Sequence, residues 1–400
     1  MEPDAQPPRL LLLAAIVLVG LNLRPFITGV GPLAADIGAG TGLALEGIAL
    51  LTLVPMLLMG VLAFAGPSLQ RRFGARHSVV AALAIMATAS LLRLFVVSGW
   101  QIVGTAALLG LGAAVIQAMF PGIIKRHFPQ RVGPVMGLYS AMLMGGGALG
   151  AQLAPLLAGR TGDWHIGLAW MAVPALLALL LVMQSLPPDR RQQTGARTAA
   201  TALLRRPRTW LLMACFGLVN GGYSTAVAWL APFYRELGWD TAASGGLLAI
   251  MAVCQAVAAL TLPILADHGH DRRPWLWLTL ALQACGFAAL ALVPALAPLL
   301  WAALIGAGLG GCFALSMVMA LDHLPDPAEA GSLSALMQGG GFLLAALPPL
   351  VVAMLHNATG SFTPGWALHL GCVAVAATLY WRVSPQSYER SMRSEFVPAA

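Results

Sequence analysis

The chain has 400 residues, of which 59% are hydrophobic and only 9% are charged. Soluble domains carry about 25% charged residues, so this composition excludes a water-soluble globular protein. Apolar runs extend over the whole length, and they must therefore face lipid. Because a spanning helix needs about 20 residues, the chain has room for about twelve of them.

Twelve apolar segments follow one another between charged or Gly/Pro-rich breaks, and each is long enough to cross a bilayer as a helix. They lie at 10–36, 44–69, 76–98, 101–124, 132–159, 166–186, 209–234, 241–266, 274–294, 298–321, 331–355 and 364–383. The first apolar run is too long for the core of a signal peptide. The sequence therefore predicts an all-α integral membrane protein with twelve transmembrane helices.

The one long polar connection divides these segments into two groups of six. It runs from Leu186 to Arg208 and is rich in Pro, Arg, Gln and Thr. The predicted organisation is a six-helix bundle at 1–186, a linker at 187–208, a second six-helix bundle at 209–384 and a tail at 385–400.

Short motifs of the first half recur in the second half in the same order, at offsets of 194 to 200 residues. The pairs are Pro32 to Gly38 with Pro232 to Gly238, His127 to Pro129 with His323 to Pro325, and Ser140 to Pro155 with Ser334 to Pro349. Several matches at one offset indicate an internal duplication. We therefore expect two pseudo-symmetric bundles.

The basic residues fall on alternate loops. Of the 22 Lys and Arg residues, 18 lie on one predicted side: Arg9, Arg71, Arg72, Arg76, Lys125, Arg126, Arg131, Arg190, Arg191, Arg197, Arg205, Arg206, Arg208, Arg272, Arg273, Arg382, Arg390 and Arg393. The opposite loops hold only Arg160 and Arg235. Cytoplasmic loops carry the excess of cations, so both termini are predicted to be cytoplasmic. With no soluble basic domain, nucleic acid is not an expected partner.

The first predicted helix carries the most specific motif. Asn22-Leu23-Arg24-Pro25, followed by Gly31-Pro32, resembles the cyanate/2-nitroimidazole transporter (CynX/NimT) subfamily of the major facilitator superfamily. The superfamily's signature between helices 2 and 3, G-x-x-x-D-[RK]-x-G-[RK]-[RK], is altered here because Arg71 stands where Asp is expected. Its second copy keeps the acid at Asp267, with Arg272 and Arg273 following.

This resemblance implies the major facilitator fold and a secondary transporter in the bacterial inner membrane, expected to be a monomer. Cyanate, nitroimidazole-like compounds or another small organic solute are the implied substrates. Helices 1, 4, 7 and 10 line the central cavity in this superfamily. The small-molecule substrate and the lipid bilayer are the expected partners, and a coupled proton is left open.

Arg24 lies about halfway along the first predicted helix, whereas all fifteen acidic residues fall at helix ends, in loops or in tails. A charge at this depth costs at least about 2.5 kcal/mol unless a cavity or partner compensates it. Gly20, Thr28 and Gly31 share its helical face, and Pro25 predicts a kink beside it. We therefore expect Arg24 to attract an anionic or electron-rich substrate.

Six further polar residues inside the spans are candidate substrate contacts. They are Asn22, Thr28, Gln117, Asn220, Tyr223 and Gln338. Interhelical packing is the more common role of such residues, and for Gln117, Asn220 and Tyr223 the two explanations are equally good. Arg93 is different, because it lies within two turns of Trp100 and is expected to snorkel to the outer surface.

Other chemistry finds little support. There is no phosphate-binding G-x-x-x-x-G-K-[ST] motif, no H-E-x-x-H and no G-x-S-x-G, so neither an enzyme nor a cofactor is expected. Asp267, His268, His270 and Asp271 are closely spaced, but a solvated loop explains them better than a metal site. A proton-coupled multidrug exporter with a structural Arg24 is the alternative function, and a sensor or channel also stays open.

Overall fold

The computed structural model describes residues 9–43, 45–65, 72–187, 199–267 and 271–392, together with Leu69 and Gly269. All regular structure in these ranges is helical, as predicted. Contacts divide the chain into unit 1, residues 1–119 with 142–194, and unit 2, residues 120–141 with 195–400. The predicted bundles differ from these units in one segment, because residues 120–141 group with unit 2. The bundle boundaries themselves stay a prediction.

The described residues of the first half form nine helices. They are α1 Arg9–Asn22, α2 Pro25–Thr28, α3 Ala34–Thr41, α4 Leu45–Ala63, α5 Ala75–Leu92, α6 Gly99–His127, α7 Val132–Thr161, α8 Trp164–Ala169 and α9 Ala172–Ser185. Short 3-10 turns at Gly31–Leu33 and Arg93–Phe95 follow α2 and α5. The end of α6 and the start of α7 belong to unit 2.

Nine further helices follow in the part of the second half that the structure describes. They are α10 Ala199–Leu204, α11 Pro207–Glu236, α12 Thr241–Ala266, α13 Arg273–Leu292, α14 Pro298–Asp322, α15 Pro327–Ala345, α16 Pro348–Thr359, α17 Thr363–Trp381 and α18 Tyr388–Met392. A 3-10 turn at Pro385–Ser387 precedes α18.

The helix ends follow from residues that satisfy or stop the backbone hydrogen-bond ladder. The carboxylates of Asp163, Asp240 and Asp326 accept backbone N–H groups in the first turns of α8, α12 and α15. Gly42 and Gly360 end α3 and α16 with φ of 71° and 68°, a conformation that glycine adopts without strain. These caps place the loops where the polar breaks in the sequence predict them.

Glycines allow the central helices of unit 2 to pack closely. α14 packs against α12 and α13, and a Cβ at Gly306 or Gly310 would overlap the backbone carbonyls of Met251 and Gln255 on α12. Close backbone approach through small residues is a main source of helix association in lipid.

The number of spanning helices is the one feature of the predicted fold that is not confirmed. Among the described residues, ten helical stretches are long and apolar enough to cross a membrane. An eleventh results if Thr363–Trp381 and Pro385–Met392, which are bent by 63°, form one span. The segment predicted at 44–69 contributes only the shorter apolar helix Gly47–Ala63, so the count of twelve stays a prediction.

Candidate functional site

Arg24 lies at a break in the first membrane-spanning stretch. α1 ends at Asn22 and α2 begins at Pro25, with Arg24 as its N-cap residue at φ −124° and ψ −26°. Pro25 has no N–H to donate to the Leu21 carbonyl, and its ring cannot be accommodated by a continuous helix. The predicted kink beside Arg24 is therefore confirmed.

The broken segment packs against the glycine-rich face of α7. A Cβ at Gly146 would overlap the Leu21 carbonyl, and a Cβ at Gly150 would overlap the backbone of Pro25. The Thr28 hydroxyl donates a hydrogen bond of 2.7 Å to the Gly147 carbonyl. The glycine run thus provides the close helix contact that the sequence predicts.

The Arg24 side chain is buried within unit 1, with 8% of its surface exposed. The first part of the side chain passes α7 at Gly147, where a Cβ would lie 3.3 Å from the Arg24 Cβ. The guanidinium is therefore a buried positive charge beside a helix break, which is the combination that many membrane binding sites use.

Asn22 and Gln117 are the other buried polar candidates of unit 1. The Asn22 Nδ2 donates to the carbonyls of Leu18 at 2.7 Å and Pro174 at 3.1 Å, which ties α1 to α9. Its buried Oδ1 has no hydrogen-bond partner among the described residues. Gln117 is 3% exposed on α6. The Asn22 nitrogen therefore serves helix packing, while its oxygen is available.

Asn220 lies buried on α11 of unit 2. Four residues after Asn220, the Ser224 hydroxyl donates a hydrogen bond of 2.6 Å to the Ala345 carbonyl at the end of α15. In unit 1, Thr28 follows Arg24 by the same spacing and makes the same type of bond. α11 is unbroken here, and the Asn220 Nδ2 donates to the Phe216 carbonyl at 2.8 Å.

The remaining candidates, Tyr223 and Gln338, also belong to unit 2. Tyr223 is half-buried on α11, and Gln338 is buried on α15, with its Nε2 3.4 Å from the Ser334 carbonyl. The sequence analysis did not single out Ser224. The signal for it is its spacing, since Ser224 follows Asn220 by four residues as Thr28 follows Arg24. Each unit therefore holds its own polar set.

An ion-pair cluster follows α12, where the second copy of the loop signature lies. The Arg272 Nε lies 3.1 Å from the Asp322 Oδ2, and its Nη2 lies 3.8 Å from the Asp267 Oδ1. Arg273 donates to Asp271 at 2.7 Å, and these hydrogen bonds lower the pKa of that carboxyl.

No metal-binding group of three or more His, Cys, Asp or Glu residues exists among the described residues. His268 and His270 lie outside them, as does Arg71 in the first copy of the signature. The loop acids that the structure describes, Asp267 and Asp271, are paired with arginine.

Arg93 does not reach the surface, so the expectation of snorkelling is wrong. Its side chain is 0% exposed, whereas Phe95 and Val97 next to it are each 75% exposed. The 3-10 turn that begins at Arg93 rotates the guanidinium away from lipid and under α8, which packs against this turn.

The geometry can now be compared with known proteins. Residues 10–349 and 234–394 match the Major Facilitator Superfamily. The chain belongs to this family. It is therefore a multi-pass membrane transporter with the all-helical fold of that family, and the resemblance inferred from the first helix is confirmed.

Two relatives from Escherichia coli (strain K12) extend over nearly the whole chain. The chain is 41% identical to the cyanate transport protein CynX over 374 residues, which cover 94% of this chain and 97% of the relative. It is 29% identical to the 2-nitroimidazole transporter over 376 residues, with 93% of each chain covered. Both relatives are named as transporters, which does not favour the drug-exporter alternative.

A solved structure supports the fold. The proton:xylose symporter XylE bound to 6-bromo-6-deoxy-D-glucose aligns with a TM-score of 0.78 at 15% identity, over 93% of this chain and 95% of that one. At this identity the likeness shows the architecture alone.

Proposed function

We propose that this superfamily member is a secondary transporter that moves a small anionic or polar organic solute, of the cyanate or nitroimidazole type, across the bacterial inner membrane by alternating access. The observation that carries this proposal is Arg24, a buried cation at a helix break in a chain 41% identical to a cyanate transport protein. Burial strengthens the attraction between a guanidinium and an anion, because the local dielectric constant is low.

The neighbouring polar groups have distinct roles in this proposal. Thr28 and Asn22 hold the broken helix in place against α7 and α9, since their hydrogen bonds go to carbonyls of those helices. Gln117 is the candidate that orients the solute in unit 1. Asn220, Tyr223 and Gln338 keep their predicted role as the polar contacts of unit 2. A monomeric state and cytoplasmic termini complete the proposal, which leaves proton coupling to the test below.

Uptake of radiolabelled cyanate into proteoliposomes tests the role of Arg24. Loss of a hydrogen bond to a charged group costs about 1.5–3 kcal/mol, so Arg24→Gln is expected to lower the uptake rate at low substrate concentration by roughly 10-fold or more. Arg24→Lys should retain part of the activity because it keeps the charge. Arg160→Gln, at an exposed arginine of the same unit, is the matched control.

Undiminished cyanate uptake by a correctly folded Arg24→Gln variant would contradict the assignment. The same vesicles, loaded with an imposed pH gradient, test the coupling: substrate-dependent proton movement is expected for a symporter or antiporter and absent for a uniporter. A 2-nitroimidazole added as competitor shows whether both solute types use one site.

A further inference from the structure

Arg93 is a second buried cation in unit 1, at the junction of α5 and the turn Arg93–Phe95. Its Nε lies 3.4 Å from the Thr105 hydroxyl, which itself donates to the Ile102 carbonyl at 2.7 Å. Nη1 and Nη2 are buried and have no hydrogen-bond partner among the described residues. Terminal guanidinium nitrogens that have lost their water without gaining an acceptor are strongly destabilising, so these two nitrogens call for a ligand.

The polar groups that follow this turn are engaged elsewhere. The Val96 carbonyl lies 2.9 Å from the His165 Nε2 on α8. The Gln101 Oε1 accepts the backbone N–H groups of Val97 at 2.8 Å and Ser98 at 3.1 Å. These bonds engage the polar groups of the turn, and the terminal nitrogens of Arg93 have no acceptor within the described part of the chain.

Acidic side chains do not neutralise Arg93 either. In the described part of unit 1 the carboxylates whose side chains are described are those of Asp36 and Asp163, and neither forms an ion pair with Arg93. Asp163 is engaged by His165, with 2.6 Å between Oδ1 and Nδ1. None of the described carboxylates of unit 1 therefore pairs with Arg93.

The Arg93 corner is separate from Arg24. Val96 packs in one apolar cluster with Leu33 and Ile37 of the first membrane-spanning stretch. These two residues follow Arg24 by nine and thirteen positions, which is more than two helical turns.

We propose that Arg93 binds a small monovalent oxyanion, of the size of nitrite or nitrate, at a site distinct from Arg24. Two terminal nitrogens in one plane match the two oxygen atoms of a small planar oxyanion. A single guanidinium favours a single negative charge, and complete burial excludes bulky anions. The proposal does not depend on the role given to Arg24.

Thermal unfolding of the purified Arg24→Met variant tests this site with one cation removed. Sodium nitrate replaces sodium gluconate at constant ionic strength, so that only a small anion can enter. A saturable rise in the midpoint temperature is expected, of about 2 °C at ten times the dissociation constant. The double variant Arg24→Met/Arg93→Met should show no saturable rise, and Arg24→Met/Arg160→Met should keep it.

Arg93→Lys provides a second variant if Arg93→Met fails to fold, because it keeps the charge but lacks the planar pair of donors. A several-fold weaker response to nitrate is expected. No saturable response in Arg24→Met, or an equal response in its Arg93 variants, would overturn the proposal.

Nanodiscs of phosphatidylglycerol and phosphatidylcholine test the other source of an anionic group, which is a lipid headgroup. A rise in the midpoint temperature that depends on phosphatidylglycerol but not on nitrate would assign Arg93 to a headgroup and would also overturn the proposal. Thermal unfolding does not require transport, so this test of Arg93 is independent of the uptake assay that tests Arg24.

Discussion

His323, one residue beyond α14, is a buried histidine with a strongly altered titration. It stacks on Tyr388, with ring centroids 3.8 Å apart, and its Nδ1 lies 2.7 Å from the Met319 carbonyl. Burial lowers the pKa of His323 to about 4, and the nearby charges of Arg208 and Lys125 act in the same direction. The imidazole is therefore neutral at pH 7 in the folded protein.

This shift predicts a loss of stability on acidification. An unfolded His323 titrates near its ordinary pKa of 6.5, so between that pH and about 4 the unfolded chain binds more protons than the folded one. The stability is complete above pH 6.5 and falls as the pH drops, by up to about 3 kcal/mol. His323→Gln should therefore flatten the decline of the thermal midpoint from pH 7 to pH 4.5.

The matched control is His77→Gln, which replaces an exposed histidine and should leave the slope of midpoint against pH as it is in the wild type. An unchanged slope in His323→Gln would show that this imidazole contributes nothing to the acid sensitivity.

Among the secondary-structure elements, α7 depends on the absence of side chains along one face. A Cβ at Gly146 would overlap the Leu21 carbonyl, whereas a Cβ at the adjacent Gly145 meets nothing within 4 Å. Gly146→Ala should destabilise the protein by about 1–3 kcal/mol through overpacking. Gly145→Ala should be neutral or slightly stabilising, because alanine favours a helix. Thermal midpoints in detergent compare the two, and equal effects would exclude close packing as the reason for the glycine run.

The sequence predicted the helix break at this site better than the directions and partners of its polar side chains. Pro25 removes an amide donor at a known position, so the break beside Arg24 follows from local chemistry. Arg93 could not be placed in the same way, since a 3-10 turn after α5 decides whether its side chain faces lipid or protein. The contact of Asn22 with Pro174 joins residues 152 positions apart, and a single sequence does not encode which helix receives such a bond.

For the whole molecule, apolar segments indicate where helices run but not what their ends contact. Residues 120–141 continue helices of the first half yet group with unit 2. Gly122 approaches Gly331 so closely that a Cβ on Gly122 would lie 3.2 Å from the Gly331 Cα, and the Lys125 Nζ donates to the carbonyls of Leu321 and Leu324. Such contacts between distant glycines and backbone carbonyls leave no pattern in the sequence.

The distribution of cations predicts the orientation of the whole chain. Arginine-rich loops and the linker at 187–208 should face the cytoplasm, and the loops with Arg160 and Arg235 should face outward. A fluorescent protein fused after Ala400 is therefore expected to fluoresce, and alkaline phosphatase inserted at Gly238 is expected to be active. Active phosphatase after Ala400 combined with inactive phosphatase at Gly238 would reverse the proposed orientation.

Lys125 is the single lysine of the chain, and its ammonium group already donates to two backbone carbonyls. Cyanate carbamylates free amines and converts them into ureas, but it leaves guanidinium groups largely untouched. In a carrier of cyanate whose basic side chains are almost all arginine, the substrate therefore meets a single side-chain amine. That amine donates hydrogen bonds to backbone carbonyls. Such a protein presents few side-chain amines to the reactive compound that it is proposed to carry.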